Sequence, residues 1–388
     1  MIEIRKLKKE DMDELFALLN ETFGHKYGRP MHFDLEQPKM WVRDDLHAER
    51  HIAVFEDGKM AAVVGIYPLP LVIGGEKFLF CTTGNVATLP QYEGKGYFSR
   101  LFPLAIEEAK RQGATAARLG GARQRYARYG FESCGPAYEY TVTDHNAKHT
   151  GLGADISLDE IRREDEGTLA YCHALMEKKT VFVERSTEEG YRDMYLALCS
   201  KEAKPYLVKK NGAPIGYISA KDGLATILEF SLEDEAEISA VAAAAALKSE
   251  GKRTRVTVSL AMPRAIAALQ AMCQEYSAVL PSRFCIFEYE RLVCRLLSLQ
   301  AERMPLPSFD LVLQIEGGER LHLHADESAS FCKTTNEAPD LTLPQTEAER
   351  LLFGLYNEDL LSALPREKQI AMRAVFPLPL TWTTNDFV

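Results

Sequence analysis

Long apolar runs are missing from this chain. No stretch approaches the roughly 20 consecutive apolar residues that a membrane helix needs, and the start Met1-Ile-Glu-Ile-Arg-Lys6 lacks the apolar core of a secretory signal. The expectation is a cytoplasmic protein with no membrane partner. Basic charge is also scarce: 46 Lys and Arg stand against 56 Asp and Glu, a net charge of −10. With no basic stripe to displace counterions from phosphates, no nucleic-acid partner is expected. Paired cysteines are absent as well, since the eight cysteines lie far apart without a Cys-x-x-Cys, which reads as reduced thiols. The nine histidines show no metal-ligand spacing beyond His322-x-His324, which alternates along an expected strand, so no metal is expected. What remains is ordinary for a globular protein, 46% hydrophobic and 26% charged, and 388 residues suffice for two or three domains.

The most informative segment is Val86-Ala-Thr-Leu-Pro-Gln-Tyr-Glu-Gly-Lys-Gly-Tyr97, an extended apolar stretch running into a glycine turn and then a helix. A peptide amide approaches a phosphate oxygen closely where no Cβ intervenes, and a helix starting there adds its positive dipole end. Gln91, Gly94 and Gly96 have the spacing of a diphosphate cradle. The third glycine of a dinucleotide fingerprint is absent, Ser99 following instead. A plain glycine turn between strand and helix is the competing reading.

Residues 1 to 145 read as one α/β unit. Ile2 and Ile4 open a strand; Met12, Leu15, Phe16, Leu19 and Phe23 recur at helical spacing; and Asp57-Gly58 joins His51–Phe55 to Met60–Tyr67 as a hairpin. Lys77 to Leu89 is the next strand, interrupted at Gly84, and a helix burying Phe98, Leu101, Phe102, Ala105 and Ala109 ends at Gly113. Ala114–Leu119 and Ala137–Thr143 are expected to complete the sheet. After a polar connector, Tyr206 to Ile218 repeats the hairpin with Asn211-Gly212 in the turn, so the second part looks like a copy of the first. In the copy, Glu233-Asp-Glu-Ala-Glu237 replaces the cradle, and four carboxylates would repel a diphosphate. Past Arg295 come a hairpin turning at Gly317-Gly318 and a helix with Leu351, Leu352 and Leu355 that Thr346 is expected to cap. The apolar last segment, Phe376 to Val388, reads as docked rather than free.

Gln91-x-x-Gly94-x-Gly96 after a strand resembles the acetyl-CoA loop of the GNAT acetyltransferases, which implies acetyl transfer from a thioester to an amine; that reaction requires a bound CoA, a neutral amine, a donor for the oxyanion and an acid for the thiolate. The cradle supplies the first, with Lys95 as a nearby cation or simply a solvated one. Backbone amides along Val86–Thr88 could meet the oxyanion. In the loop Gly120-Gly-Ala-Arg-Gln-Arg-Tyr-Ala-Arg-Tyr-Gly-Phe131, Tyr126 is the chosen acid and Tyr129 its competitor. A phenol near pKa 10 stays protonated at neutral pH and so can donate to a leaving thiolate, although the transfer is uphill by about 1.5 units against a thiol near 8.5. Glu93, Glu132 and the terminal carboxylate of Val388 are the candidate bases.

The loop, its Leu89-Pro90 lead-in and the repeated unit resemble the GNAT acetyltransferases, and the whole arrangement is similar to the Eis-like (enhanced intracellular survival) family. That resemblance implies an α/β (α+β) chain of two tandem GNAT-like mixed-sheet domains and a sterol-carrier-like C-terminal domain, divided as 1–147, 148–294 and 295–388. The family's Tyr-x-Arg-aromatic-Gly-aromatic pattern falls on Tyr126, Arg128, Tyr129, Gly130 and Phe131. It implies Tyr126 as general acid and the carboxylate of Val388 as base, and puts acetyl-CoA contacts at Val86, Ala87, Thr88, Glu93, Gly94, Lys95, Gly96, Tyr97 and Phe98. Phe23, Trp41 and Asp386 are expected to line a cleft for a cationic small-molecule amine, aminoglycoside-like or polyamine. A homo-oligomer such as a hexamer is also implied. Alternatives are an acyl-CoA or lipid-binding protein with a vestigial site, and a protein or peptide N-acetyltransferase. Departures from the family are Val388 in place of an aromatic end, Gly121 in place of a polar residue, Glu93 in place of a basic one, and Pro103 inside the cofactor helix.

Overall fold

The structure, a computed structural model, describes residues 1–381 and 384–386. Its first sheet runs Ile2–Lys6, His51–Glu56, Lys59–Ile73, Glu76–Thr88, Ala116–Leu119, Ser282–Ile286 and Glu132–Cys134, with Val181–Val183 beside the far end of Lys59–Ile73. The second runs Glu275–Val279, Ala137–Thr143, Arg253–Ser259, Thr226–Leu232, Ala213–Lys221, Lys204–Lys210 and Ile156–Glu160. The third is Ser330–Thr334, Arg320–Ala325, Phe309–Ile315 and Leu341–Leu343. Mixed sheets carrying helices on their faces make this an α/β chain, as the sequence indicates.

Both repeated hairpins form. Asp57 and Gly58 sit at φ 51° and 79°, Asn211 and Gly212 at 51° and 84°, so each pair supplies the two left-handed residues of a tight turn matched to strand twist. One strand assignment needs correction: Ala137–Thr143 leaves the first sheet and pairs with Arg253–Ser259 and Glu275–Val279 in the second. Its place in the first is taken by Ser282–Ile286, which is antiparallel to both Ala116–Leu119 and Glu132–Cys134. An alternating strand carries no mark of which sheet it joins, and here each half completes the other. Thr346 also moves, from an expected cap to the interior of a helix, Gln345–Phe353, that starts after Pro344.

The third unit shares a core with the first. Leu69, Phe78, Phe80 and Phe284 of the first sheet pack in one cluster with Leu311, Leu323 and Leu352. At this seam Glu349 is fully buried. Its Oε1 accepts from Ile286 N (2.8 Å), Tyr289 Oη (3.1 Å) and Gln345 Nε2 (3.1 Å), while Oε2 has no partner. Burial pushes this carboxyl well above its ordinary pKa. The folded state therefore holds the proton more tightly than the unfolded chain, and stability falls as pH rises from about 4.3 toward the folded value. Glu349→Gln, which stays neutral, is expected to melt higher than wild type at pH 8, with the gap closing near pH 4. Thermal melts across that range check it.

Candidate active site

The segment Glu76–Thr88 pairs in parallel with Ala116–Leu119 only from Phe80 to Thr82, and beyond that the two strands part. A cleft of about 760 Å³ opens beside the far end of the longer strand, walled by Val86, Ala87 and Thr88 and floored by Glu93, Gly94 and Gly96 through Phe98. Gly94 and Gly96 are left-handed (φ 78° and 75°), and nothing lies within 4 Å of where a Cβ would stand on either. Gly96 caps the helix Tyr97–Arg111. The Tyr92 and Glu93 amides bond within the turn and Arg100 N returns to Gly96 O, but the amides from Gly94 to Ser99 have no backbone acceptor among the described residues. Consecutive free amides at a helix start form an anion cradle, and the residues present fit a diphosphate.

Of the expected cofactor contacts, only Lys95 turns away. Its ammonium lies 2.8 Å from both carboxylate oxygens of Glu56, which also accepts from Tyr97 Oη at 2.6 Å. Glu93 does face the cleft, and the basic groups at its rim are His25, Lys26 and Arg125. Neither Lys26 nor Arg125 forms an ion pair among the described residues; the Lys26 ammonium lies over the Phe23 and Tyr27 rings at 5.6 and 5.1 Å.

The wall at Val86 contains a feature that the sequence reading missed. Val63 pairs with Ala87 and Gly65 with Gly84, so Asn85 and Val86 together face Val64 in a β-bulge, with Asn85 at φ 52°. A bulge takes backbone out of the ladder, which frees an N–H to meet charge developing in the cleft. A buried chain of hydrogen bonds holds it. Asn85 Nδ2 donates to Tyr67 Oη at 2.6 Å, and Tyr67 Oη lies 2.7 Å from His51 Nε2. His51 Nδ1 lies 3.2 and 3.3 Å from the carbonyls of His47 and Ala48. Those carbonyls can only accept, so the proton sits on Nδ1 and Nε2 accepts from the tyrosine. Burial lowers the His51 pKa to about 4, which keeps the ring neutral. Trp41 stacks on it at 5.4 Å and 14°. The Gly84-Asn85 pair was the available signal, since glycine inside a strand marks bulges and asparagine tolerates the left-handed region.

Tyr126 is buried at 6% exposure behind the cleft, its ring 5.8 Å from Phe98 and 5.0 Å from Phe102. A Cβ on Gly121 would stand 2.1 Å from that ring, so the departure at Gly121 makes room for Tyr126. Burial raises its pKa, and the neighbouring Arg125 pulls the other way. Arg123 pins the loop to buried Glu132 through two bonds of 2.5 Å.

Of the expected acceptor contacts, Phe23 lines the cleft. Trp41 is instead packed between Phe16 and His51. Asp386 is buried with Arg185 at 3.1 Å and Lys39 at 3.6 Å, neutralised rather than presented to a ligand. Val388 lies outside the described residues. His322 and His324 are both bonded to Asp310, at 2.7 and 2.9 Å, and no group of three or more His, Cys, Asp or Glu among the described residues could hold a metal. No helix among them is long and apolar enough to cross a membrane.

A family model described as "Acetyltransferase (GNAT) domain" matches residues 3–134, the segment that carries the cradle, the bulge and Tyr126. Residues 3–134 are thus similar in sequence to a GNAT acetyltransferase domain. Solved structures extend the likeness of fold to the whole chain. A GCN5-related N-acetyltransferase from Kribbella flavida superposes with a TM-score of 0.68 at 16% identity over 100% of both chains. Its counterpart from Anabaena variabilis gives 0.67 at 16%, again over 100% of both. Eis1 from Mycobacterium abscessus gives 0.64 at 14% over the same share. A search of the curated proteins matches none. The strand of the first sheet that lies between Ala116–Leu119 and Glu132–Cys134 is supplied from beyond the matched segment, by Ser282–Ile286.

Proposed function

We propose that the chain transfers an acetyl group from acetyl-CoA to an amine. The observation that carries this reading is that one cleft is lined both by the segment whose amides are free at Gly94–Ser99 and by Val86 of the β-bulge, inside a segment that matches an acetyltransferase domain. The amides would hold the diphosphate of the substrate. The amine nitrogen attacks the thioester carbonyl carbon, the bulge N–H stabilises the oxygen as its charge grows, and the C–S bond breaks. Tyr126 gives its proton to the departing thiolate, leaving an amide and free CoA. As the resemblance implies, the Val388 carboxylate takes the proton lost by the amine; appending one glycine tests that role by displacing the carboxylate.

A tandem arrangement with an acyl-CoA site in the first unit, a degenerate second unit and a sterol-carrier-like third belongs to the same proposal. The acceptor class expected from the resemblance is a cationic amine. Against a polycation stand the pairing of Asp386 with Arg185 and Lys39 and the basic rim of His25, Lys26 and Arg125. An acceptor panel of aminoglycosides, polyamines, peptides and amines that carry a carboxylate, read by release of CoA thiol, tests the reading. Turnover with any of them, dependent on acetyl-CoA, is the expected result; absence of both turnover and acetyl-CoA binding would refute it.

A further inference from the structure

The second sheet opens in the same manner as the first. Thr226 and Ile227 pair in parallel with Arg255 and Val256, and no further pairing follows, so Leu228–Phe230 and Thr257–Ser259 stand apart. In the first sheet the corresponding parting holds the candidate acetyl-CoA cleft. In the second it holds a separate cavity of about 250 Å³, which shares no lining residue with that cleft. Acidic Glu233–Glu237 stands where the cradle would be, so the cavity is not a second diphosphate site.

Its walls are mainly apolar, from Val181, Leu228, Phe230, Met262 and Phe284. Three ionisable side chains also reach it, and they differ in how well they are satisfied. Glu229 is fully engaged, with Arg185 bonded to both carboxylate oxygens at 3.0 and 2.7 Å and Tyr217 Oη at 2.8 Å. Among the described residues Lys179 donates only to the backbone oxygen of Phe230, which engages one of its three ammonium hydrogens. Glu235 has no hydrogen bond or ion pair among the described residues, and although it and Lys179 feel each other's charge they do not form a salt bridge. Burial lowers the Lys179 pKa against the opposing pull of Glu229, and burial raises that of the half-buried Glu235.

We propose that this cavity binds an α-amino acid with an apolar side chain. The ligand carboxylate would meet the Lys179 ammonium, its ammonium would meet Glu235, and its side chain would lie among Leu228, Phe230 and Met262. A zwitterion meets both charges, neither of which has an ion-pair partner among the described residues, without changing the net charge of the cavity, which neither a simple carboxylate nor a simple amine can do. The site is independent of the transferase reading.

Calorimetric titration of the full chain with L-leucine, L-methionine and L-phenylalanine tests it, beside 4-methylpentanoate and 3-methylbutylamine, which keep leucine's side chain but lack one charge each. At least one amino acid should bind one per chain, and both single-charge analogues should bind about tenfold more weakly or worse. Lys179→Met and Glu235→Gln should each weaken binding by a similar factor, with thermal melts reporting whether each variant folds. No binding of any of the three amino acids at millimolar concentration, or equal binding of either analogue, would overturn the proposal even where a variant fails to fold. Acetyl-CoA titrated in parallel separates this outcome from failure of the transferase reading.

Discussion

Phenylalanine in place of Tyr126 is expected to lower kcat by about two orders of magnitude, the usual scale for losing a general acid. Acetyl-CoA affinity should hardly change. The ring contacts with Phe98 and Phe102 survive the substitution, and the cradle amides owe nothing to the phenol. Steady-state CoA release together with calorimetric titration of acetyl-CoA separates the two quantities. A phenol raised by burial stays protonated through neutral pH, so an acid in this position costs no activity until pH climbs beyond about 10. The wild-type rate should accordingly show no alkaline loss from this group at lower pH. An undiminished kcat in Tyr126→Phe would pass the acid role to another group, with Tyr129 the first to try.

The second large effect is expected at Asn85, which touches the reaction only through the backbone it shapes. Asn85→Ala loses the 2.6 Å bond to Tyr67 and places a Cβ residue at φ 52°, where L side chains other than Asn and Asp are strained by about 1–2 kcal/mol. If the bulge relaxes, the N–H on the cleft wall moves, and mispositioning one oxyanion donor lowers kcat by up to about 100-fold. KM for acetyl-CoA should stay close to wild type, because the cradle amides at Gly94–Ser99 belong to a separate segment of the cleft lining. Two further variants divide the cause. Asn85→Gly keeps the left-handed backbone without the amide, and Tyr67→Phe removes the hydroxyl while keeping the ring. A loss in Asn85→Ala that Asn85→Gly rescues assigns the effect to backbone conformation; a loss shared by all three assigns it to the Tyr67 hydrogen bonds.

Much of the cradle was legible because its chemistry is local. The glycines, the helix start and the strand before them lie within a dozen residues, and their conformations follow from missing Cβ atoms. The hairpins at Asp57-Gly58 and Asn211-Gly212 were legible for the same reason. What the sequence hid is whatever depends on distant partners. Lys95 looks like a phosphate ligand until the fold brings Glu56 within 2.8 Å of it. Asp386 has the chemistry of a ligand contact, yet Arg185, 201 residues earlier, claims it, and Trp41 is claimed by the buried ring of His51. Ala137–Thr143 reads correctly as a strand, but alternation fixes only which side chains share a face, and the choice of sheet was made by Arg253–Ser259 more than a hundred residues later.

That exchange of strands bears on how the molecule comes into being. The loop holding Tyr126 ends in Glu132–Cys134, whose sheet neighbour Ser282–Ile286 is made last of all the strands in both large sheets. A nascent chain that has finished residue 147 thus has every residue of the cleft but no edge on which to seat the acid's loop, and its Ala137–Thr143 strand has nothing to pair with. The matched segment 3–134, expressed alone, would leave the edges of Ala116–Leu119 and Glu132–Cys134 without Ser282–Ile286, a known route to aggregation. Activity should then appear only in products that continue past Ile286, so that completion of the second half acts as a checkpoint on the first.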